Sequence, residues 1–156
     1  SVDHDERLRR GLALQAMMLA LPGSLYLRQG DEIALSDSDK PTAPLELADM
    51  VIEHTQGQAS QFGSPAATVR HAAHVRLEYN LACAPLAFVT GLEWCPAEAL
   101  AFLVRGVLVV VNTSDAPIVL PPEAKVLLSS QPLRQDQGRL LVPPTTATWL
   151  EATTVA

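Results

Sequence analysis

The chain has 156 residues, 48% of them hydrophobic, 4% aromatic and 18% charged, and carries a net charge of −6. That length fits one ordinary domain, or one domain with an appendage, and the scarcity of aromatics leaves the core to Leu, Val and Ala. An acidic chain whose one basic cluster (Arg7, Arg9, Arg10) sits among Asp3, Asp5 and Glu6 is not built to follow a nucleic-acid backbone or an anionic membrane surface.

Residues Asp5 to Leu21 read as a helix, with Leu8, Leu12, Ala16 and Leu19 recurring at three-to-four spacing and Met17, Met18 and Ala20 widening the apolar face. Such a helix, apolar nearly all round in its second half, should be covered on several sides. Pro22-Gly23 stops it, and Leu25 to Arg28 reads as a short strand leading into a polar corner, Gln29-Gly30-Asp31-Glu32. Asp31 to Lys40 is a polar loop; its SDSD run lacks the Gly and closing Glu of an EF-hand calcium loop. Leu45 to His54 reads as a short helix with Leu47 and Val51 inward, and Thr55 to Gly63 as loop. Ser64-Pro65 is a helix start, Ser as cap and Pro at the first helical position, with the helix running to about Leu81 along Val69, Ala72, Val75, Leu77 and Leu81. His71 and His74 can share a face, but only Glu78 offers a third ligand; the plainer reading is surface groups with His74 and Glu78 paired at i,i+4.

After Pro85 the texture changes. Strand-like runs at Phe88–Trp94, Leu100–Arg105, Val107–Val111, Ile118–Leu120, Lys125–Leu128, Arg139–Val142 and Thr146–Leu150 are separated by Pro-, Gly- and Asp-rich turns. This predicts an antiparallel sandwich or open barrel. VLVVV at 107–111 does not alternate, so it should be a central strand covered on both faces. The fold class expected is therefore α+β: a C-terminal sandwich of six to seven strands preceded by helices and one short strand, with residues 1–84 helical and 85–156 the sandwich.

No apolar run reaches the roughly 20 residues of a membrane-spanning helix, and SVDHDERLRRG does not read as a signal peptide. Cys83 and Cys95, the two cysteines, do not make a disulfide framework or a metal pair. They read as buried free thiols of a cytoplasmic protein. Charge below the usual 25% or so suggests a chain that covers part of itself with a partner. Nucleophile-elbow, P-loop, dinucleotide and zinc-protease motifs are absent, and no cofactor or metal is expected. Trp94 and Trp149 both fall in predicted strands, which argues against an aromatic stacking platform for sugars.

Three features occur in a fixed order: a helix leading into LPGSLYLRQGDEIAL, a helix VRHAAHVRLEYN, and then LEW followed by ALAFLVRGVLVVVNTSDAPIVLPPEAKVLLSS and VPPTTATWL. From about Arg9 to Leu150 this resembles the carboxyl-terminal part of an α-glucosidase of the α-amylase family of glycoside hydrolases, a (β/α)8 barrel followed by a small β-sandwich. The most specific pieces are Leu21-Pro22-Gly23-Ser24 with Gln29-Gly30-x-Glu32-Ile33, and Val109-Val110-Val111-Asn112-x-Ser114-Asp115-Ala116-Pro117. The resemblance implies that Leu25–Leu27 is the last barrel strand and Pro65–Leu81 the last barrel helix. It also implies that the nucleophile and acid/base carboxylates belong to earlier strands, since a complete barrel takes about 250 residues. Arg28 stands where that family has Tyr, and Asp31 where it usually has Glu.

The expected site residues are accordingly few. Asp5 with His4 is similar to the family's Asn-His-Asp motif without its Asn, the alternative being a polar helix start. Gln29, Asp31 and Glu32 are candidates for substrate contact. Retaining glycoside hydrolysis needs two carboxyl groups about 5–5.5 Å apart, and adjacent Asp31 and Glu32 more plausibly order their own loop. Two functions follow. One is a partial α-glucosidase-like protein, inactive alone and acting on α-glucosides with a barrel-bearing chain. The other is a non-catalytic binding or scaffold protein derived from that family. The partners expected are another protein chain (the barrel-bearing subunit or a second copy) and an α-glucoside as ligand, with no nucleic acid and no membrane.

Overall fold

The computed structural model describes residues 2–155. Three helices come first: α1 (Val2–Ala20), α2 (Pro44–Gln58) and α3 (Pro65–Glu78). Eight strands follow: β1 (Leu86–Phe88), β2 (Leu100–Val104), β3 (Val107–Asn112), β4 (Ile118–Val119), β5 (Val126–Ser129), β6 (Arg134–Asp136), β7 (Arg139–Val142) and β8 (Thr146–Glu151). Five of them form a sheet in the order β1-β2-β3-β8-β5 and three a second sheet, β4-β7-β6. Every strand pair is antiparallel, so the class is α+β.

The larger sheet is the middle layer. On one face Phe102, Val104, Val107, Val109, Val111, Ala147 and Trp149 pack against Ala13, Ala16, Leu19 and Ala20 of α1 and Ala72 and Val75 of α3. On the other, Ala101, Leu108, Val110 and Leu150 meet Ile118, Leu120 and Val142 of the smaller sheet's layer. Period-two alternation assigns each strand's odd and even residues to opposite cores, so β3 is buried at all six positions. Its non-alternating VLVVV has this cause. The small Ala residues of α1 let the helix lie close to the sheet. Trp149, with 0% exposure, ties the layers by donating its Nε1–H to the Ala16 carbonyl at 3.1 Å. Burying a side chain of this size contributes roughly 1.5–3 kcal/mol.

Several expectations are corrected. Leu25–Arg28 forms no ladder with any described strand; Tyr26, Leu27 and Arg28 lie exposed. A lone strand with no neighbour has nothing to satisfy its edges. The Phe88–Trp94 strand is displaced to Leu86–Phe88, because Gly91 takes φ +78 and turns the chain away from the sheet. An unforeseen strand, β6, pairs with β7 across Gln137-Gly138, both at positive φ as a type I′ turn requires. The α1 helix is buried on one face, whereas Leu14 and Met18 remain exposed.

The helix ends have specific causes. Arg76 reaches from α3 to the end of α1, donating to the carbonyls of Leu19 (2.9 Å), Leu21 and Gly23. The Leu19 carbonyl is one that a helix terminus leaves unpaired, and the other two belong to the Leu21–Gly23 stop that follows α1. Helix α2 runs to Gln58, four residues into the Thr55–Gly63 stretch expected as loop. Gln58 at its end accepts from Ala66 N–H (3.0 Å), and its carbonyl accepts from the Ser64 hydroxyl (2.7 Å). These bonds offset the roughly 1 kcal/mol that Gly57 costs within a helix. Ser64 caps α3 as expected, its Oγ accepting from Ala67 N–H at 3.3 Å. The helix then stops at Glu78, short of Leu81, since Asn80 takes a left-handed φ of +51.

Candidate functional site

The Gln29–Glu32 corner is folded around its own carboxylates. Asp31 Oδ2 accepts from Arg28 N–H at 3.0 Å, and Glu32 Oε2 from Gly30 N–H at 2.7 Å. Asp31 Oδ1 meets Lys40 Nζ at 3.1 Å, and its carbonyl accepts from Gln15 Nε2 of α1 at 2.7 Å. Ile33, buried against Val51 and Ala66, pins the corner to α2 and α3. Gly30 sits at φ +98 with Leu35 and Lys40 atoms 3.1–3.3 Å from where a Cβ would stand, so only glycine fits. Asp37 closes the loop, 2.6 Å from Arg28 and 3.2 Å from Lys40. The hydrogen bond from Lys40, then the charge of Arg28, hold its carboxyl below the usual aspartate range.

Both Asp31 oxygens are thus engaged inside the loop, and one of Glu32's. Gln29 is exposed on the same corner. His4 and Asp5 are exposed in the first turn of α1. They lie about 15 Å along the helix from Gln15, at 1.5 Å per residue. The fold therefore brings Gln29, Asp31 and Glu32 together and keeps Asp5 with His4 away from them. No opposed pair of carboxyl groups forms from these residues.

Other candidates resolve as follows. His71 Nε2 donates to the Leu127 carbonyl at 2.7 Å, fastening α3 to β5. Among the described residues His74 and Glu78 form no ion pair, and no three His, Cys, Asp or Glu side chains gather as metal ligands. Cys83 is exposed rather than buried; Cys95 is half-buried, and burial pushes its thiol pKa up. No described helix is long and apolar enough to cross a membrane. Aromatic rings do stand in solvent, against the expectation drawn from the two tryptophans: Tyr26 is 88% exposed, Phe62 102% and Phe88 71%.

The most specific motif of the sandwich is structural. Asn112, with 0% exposure, donates from Nδ2 to the carbonyls of Ala116 (2.8 Å) and Val142 (3.0 Å). Its Oδ1 accepts from Ser114 N–H (3.1 Å) and Ser114 Oγ (2.7 Å). Asn-x-Ser-Asp-Ala-Pro is thus a turn organised around one buried amide. Arg76 is the residue that sequence reasoning misses. Its signal is a cation within the apolar line of α3.

No protein-family model matches the chain, and no curated protein does. Solved structures do. Eubacterium rectale Amy13B aligns over 94% of this chain and 35% of its own, with a TM-score of 0.61 and 13% identity. The group B Streptococcus pullulanase SAP aligns over 93% and 28%, with a TM-score of 0.54 and 13% identity. Ttha1563 from Thermus thermophilus aligns over 94% and 31%, at 0.50 and 24%. The likeness is one of fold. The chain spans about a third of the length of each of these proteins.

Proposed function

We propose that the chain is a carboxyl-terminal portion of an α-glucoside-acting enzyme of the α-amylase family. In this reading residues 1–84 are the last β/α unit of the barrel and residues 85–156 the sandwich. The single observation that carries the reading is the alignment of nearly the whole chain with about a third of Amy13B. The exposed, unpaired Tyr26–Leu27 segment supports it, because this is the stretch the resemblance assigns to the last barrel strand. Catalysis then belongs to the part that carries the barrel. The carboxylates here hold their own loop and offer no nucleophile–acid pair. The Gln29–Glu32 corner contributes by holding the rim of the sugar site.

The test uses p-nitrophenyl α-glucoside. The chain alone releases no nitrophenol, whereas the chain assembled with a barrel-bearing polypeptide does. Release by the chain alone, abolished by substituting Asp5, Asp31 or Glu32, would refute the reading. A non-catalytic scaffold remains the second reading, favoured by the internal use of Asp31 and Glu32. It requires that the native complex contain no barrel-bearing chain, which the solution mass and identity of its components decide.

A further inference from the structure

Away from the corner, α3 and the edge strand β5 enclose a groove of about 540 Å³, within the roughly 300–1,000 Å³ of small-molecule sites. Its walls are mostly carbon, from Phe62, Ala67, Leu127, Pro132 and Leu133. Phe62 stands at the rim with its ring wholly in water. Five polar side chains interrupt this lining, Thr68, His71, Ser129, Ser130 and Gln131; Ser129 Oγ is hydrogen-bonded to Thr148 Oγ1, and Gln131 Nε2 donates to the Thr145 carbonyl and Thr146 Oγ1. Ser130 is only 5% exposed; its Oγ accepts from Ala147 N–H at 3.0 Å, and among the described residues its own proton has no acceptor. His71 also lines the groove. Because the Leu127 carbonyl can only accept, Nε2 carries the ring proton, and Nδ1 of the neutral imidazole is left as an acceptor.

We propose that this groove binds small, ring-bearing apolar alcohols or phenols. A hydroxyl both accepts and donates, so it can answer either the Ser130 proton or the His71 lone pair. The apolar ring covers Phe62 and the leucine wall. A sugar is the poorer occupant, since hydroxyls set against Phe62, Leu127, Pro132 and Leu133 would face carbon and lose water without a replacement partner. Binding here depends on the groove alone and is independent of the enzyme reading above.

The test is an amide-resolved NMR titration of the full chain with 2-naphthol, naphthalene and maltotriose. The expected result is saturable shifts at Thr68, His71, Ser130 and Gln131 with 2-naphthol, at least fivefold weaker binding of naphthalene, and no shifts there with maltotriose. Ala67→Trp fills the groove and weakens 2-naphthol at least tenfold while the rest of the spectrum is unchanged. Ser130→Ala weakens 2-naphthol and leaves naphthalene as it was. Absence of saturable binding, equal affinity for the two ring compounds, maltotriose shifts at those amides, or an Ala67→Trp chain that binds like the parent would each overturn the proposal.

Discussion

Replacing Asn112 tests whether one amide holds the β3–β4 connection together. Asn112→Ala removes two hydrogen bonds donated by Nδ2 and two accepted by Oδ1. At a net value of about 1 kcal/mol each, the loss is about 4 kcal/mol. The single Ser114 hydroxyl proton lies between Asn112 Oδ1 (2.7 Å) and the Ala116 carbonyl (3.0 Å); in the variant it turns wholly to Ala116, so that acceptor keeps a partner and the lower side, about 3 kcal/mol, is the better expectation. Ser114→Ala removes the hydroxyl alone and should cost about 1 kcal/mol. Asn112→Asp goes further. A carboxylate has no proton for the Ala116 and Val142 carbonyls, and burial among them raises its pKa above the unfolded value. The unfolded state then binds fewer protons than the folded one, so the stability of this variant falls as pH rises past about 4. Urea unfolding followed by tryptophan fluorescence measures all three at pH 7, and Asn112→Asp again at pH 4.5. An Asn112→Ala loss under about 1 kcal/mol, within the range of an ordinary surface change, would refute the reasoning.

Four further outcomes are expected. Gly30→Ala forces a side chain into φ +98 against Leu35 and Lys40 and should cost about 1–3 kcal/mol in the same urea assay. Arg76→Leu strips three carbonyls at the end of α1 of their donor; a loss of about 2 kcal/mol, with faster amide exchange confined to residues near Leu19–Gly23, is the expected signature. With Ellman's reagent at pH 8, exposed Cys83 should react at least tenfold faster than Cys95, whose thiolate burial disfavours; equal rates would contradict the packing. Tyr79 is held above its ordinary pKa by burial and by the Glu151 carboxylate that accepts its O–H at 3.2 Å. Since the unfolded chain loses that proton first, stability should fall as pH rises above about 10, and Tyr79→Phe should flatten this limb of the profile.

Legibility in the sequence followed how local each cause is. VLVVV announced a doubly covered strand because burial on both faces leaves no polar alternation, and Ser64-Pro65 announced the start of α3 because a cap is a local device. The exposed Arg-Gln-Asp of β6 carried no apolar pattern; its only signal was Gly138 in the turn. Helix α2 outran its apolar stretch because Gln58 is fixed by Ala66 and Ser64 of the next element, bonds no window of sequence contains. At the corner, the use of Asp31 and Glu32 as loop ties could be inferred from their adjacency. Their partners could not, because Gln15 and Lys40 arrive only through the tertiary fold. The exposure of Tyr26 was equally hidden, since an aromatic residue in a predicted strand reads as core until its neighbours are placed, whereas Phe62 fell in the stretch expected as loop.

The double cover over β3 has a topographic consequence. With one side of the main sheet taken by helices and the other by the small sheet, no broad flat surface of that layer is left for an outside molecule. Whatever engages this chain must approach along a rim, at the connecting corners, or across the outward sides of the two flanking layers. Surface mapping should therefore begin at those margins rather than over the centre.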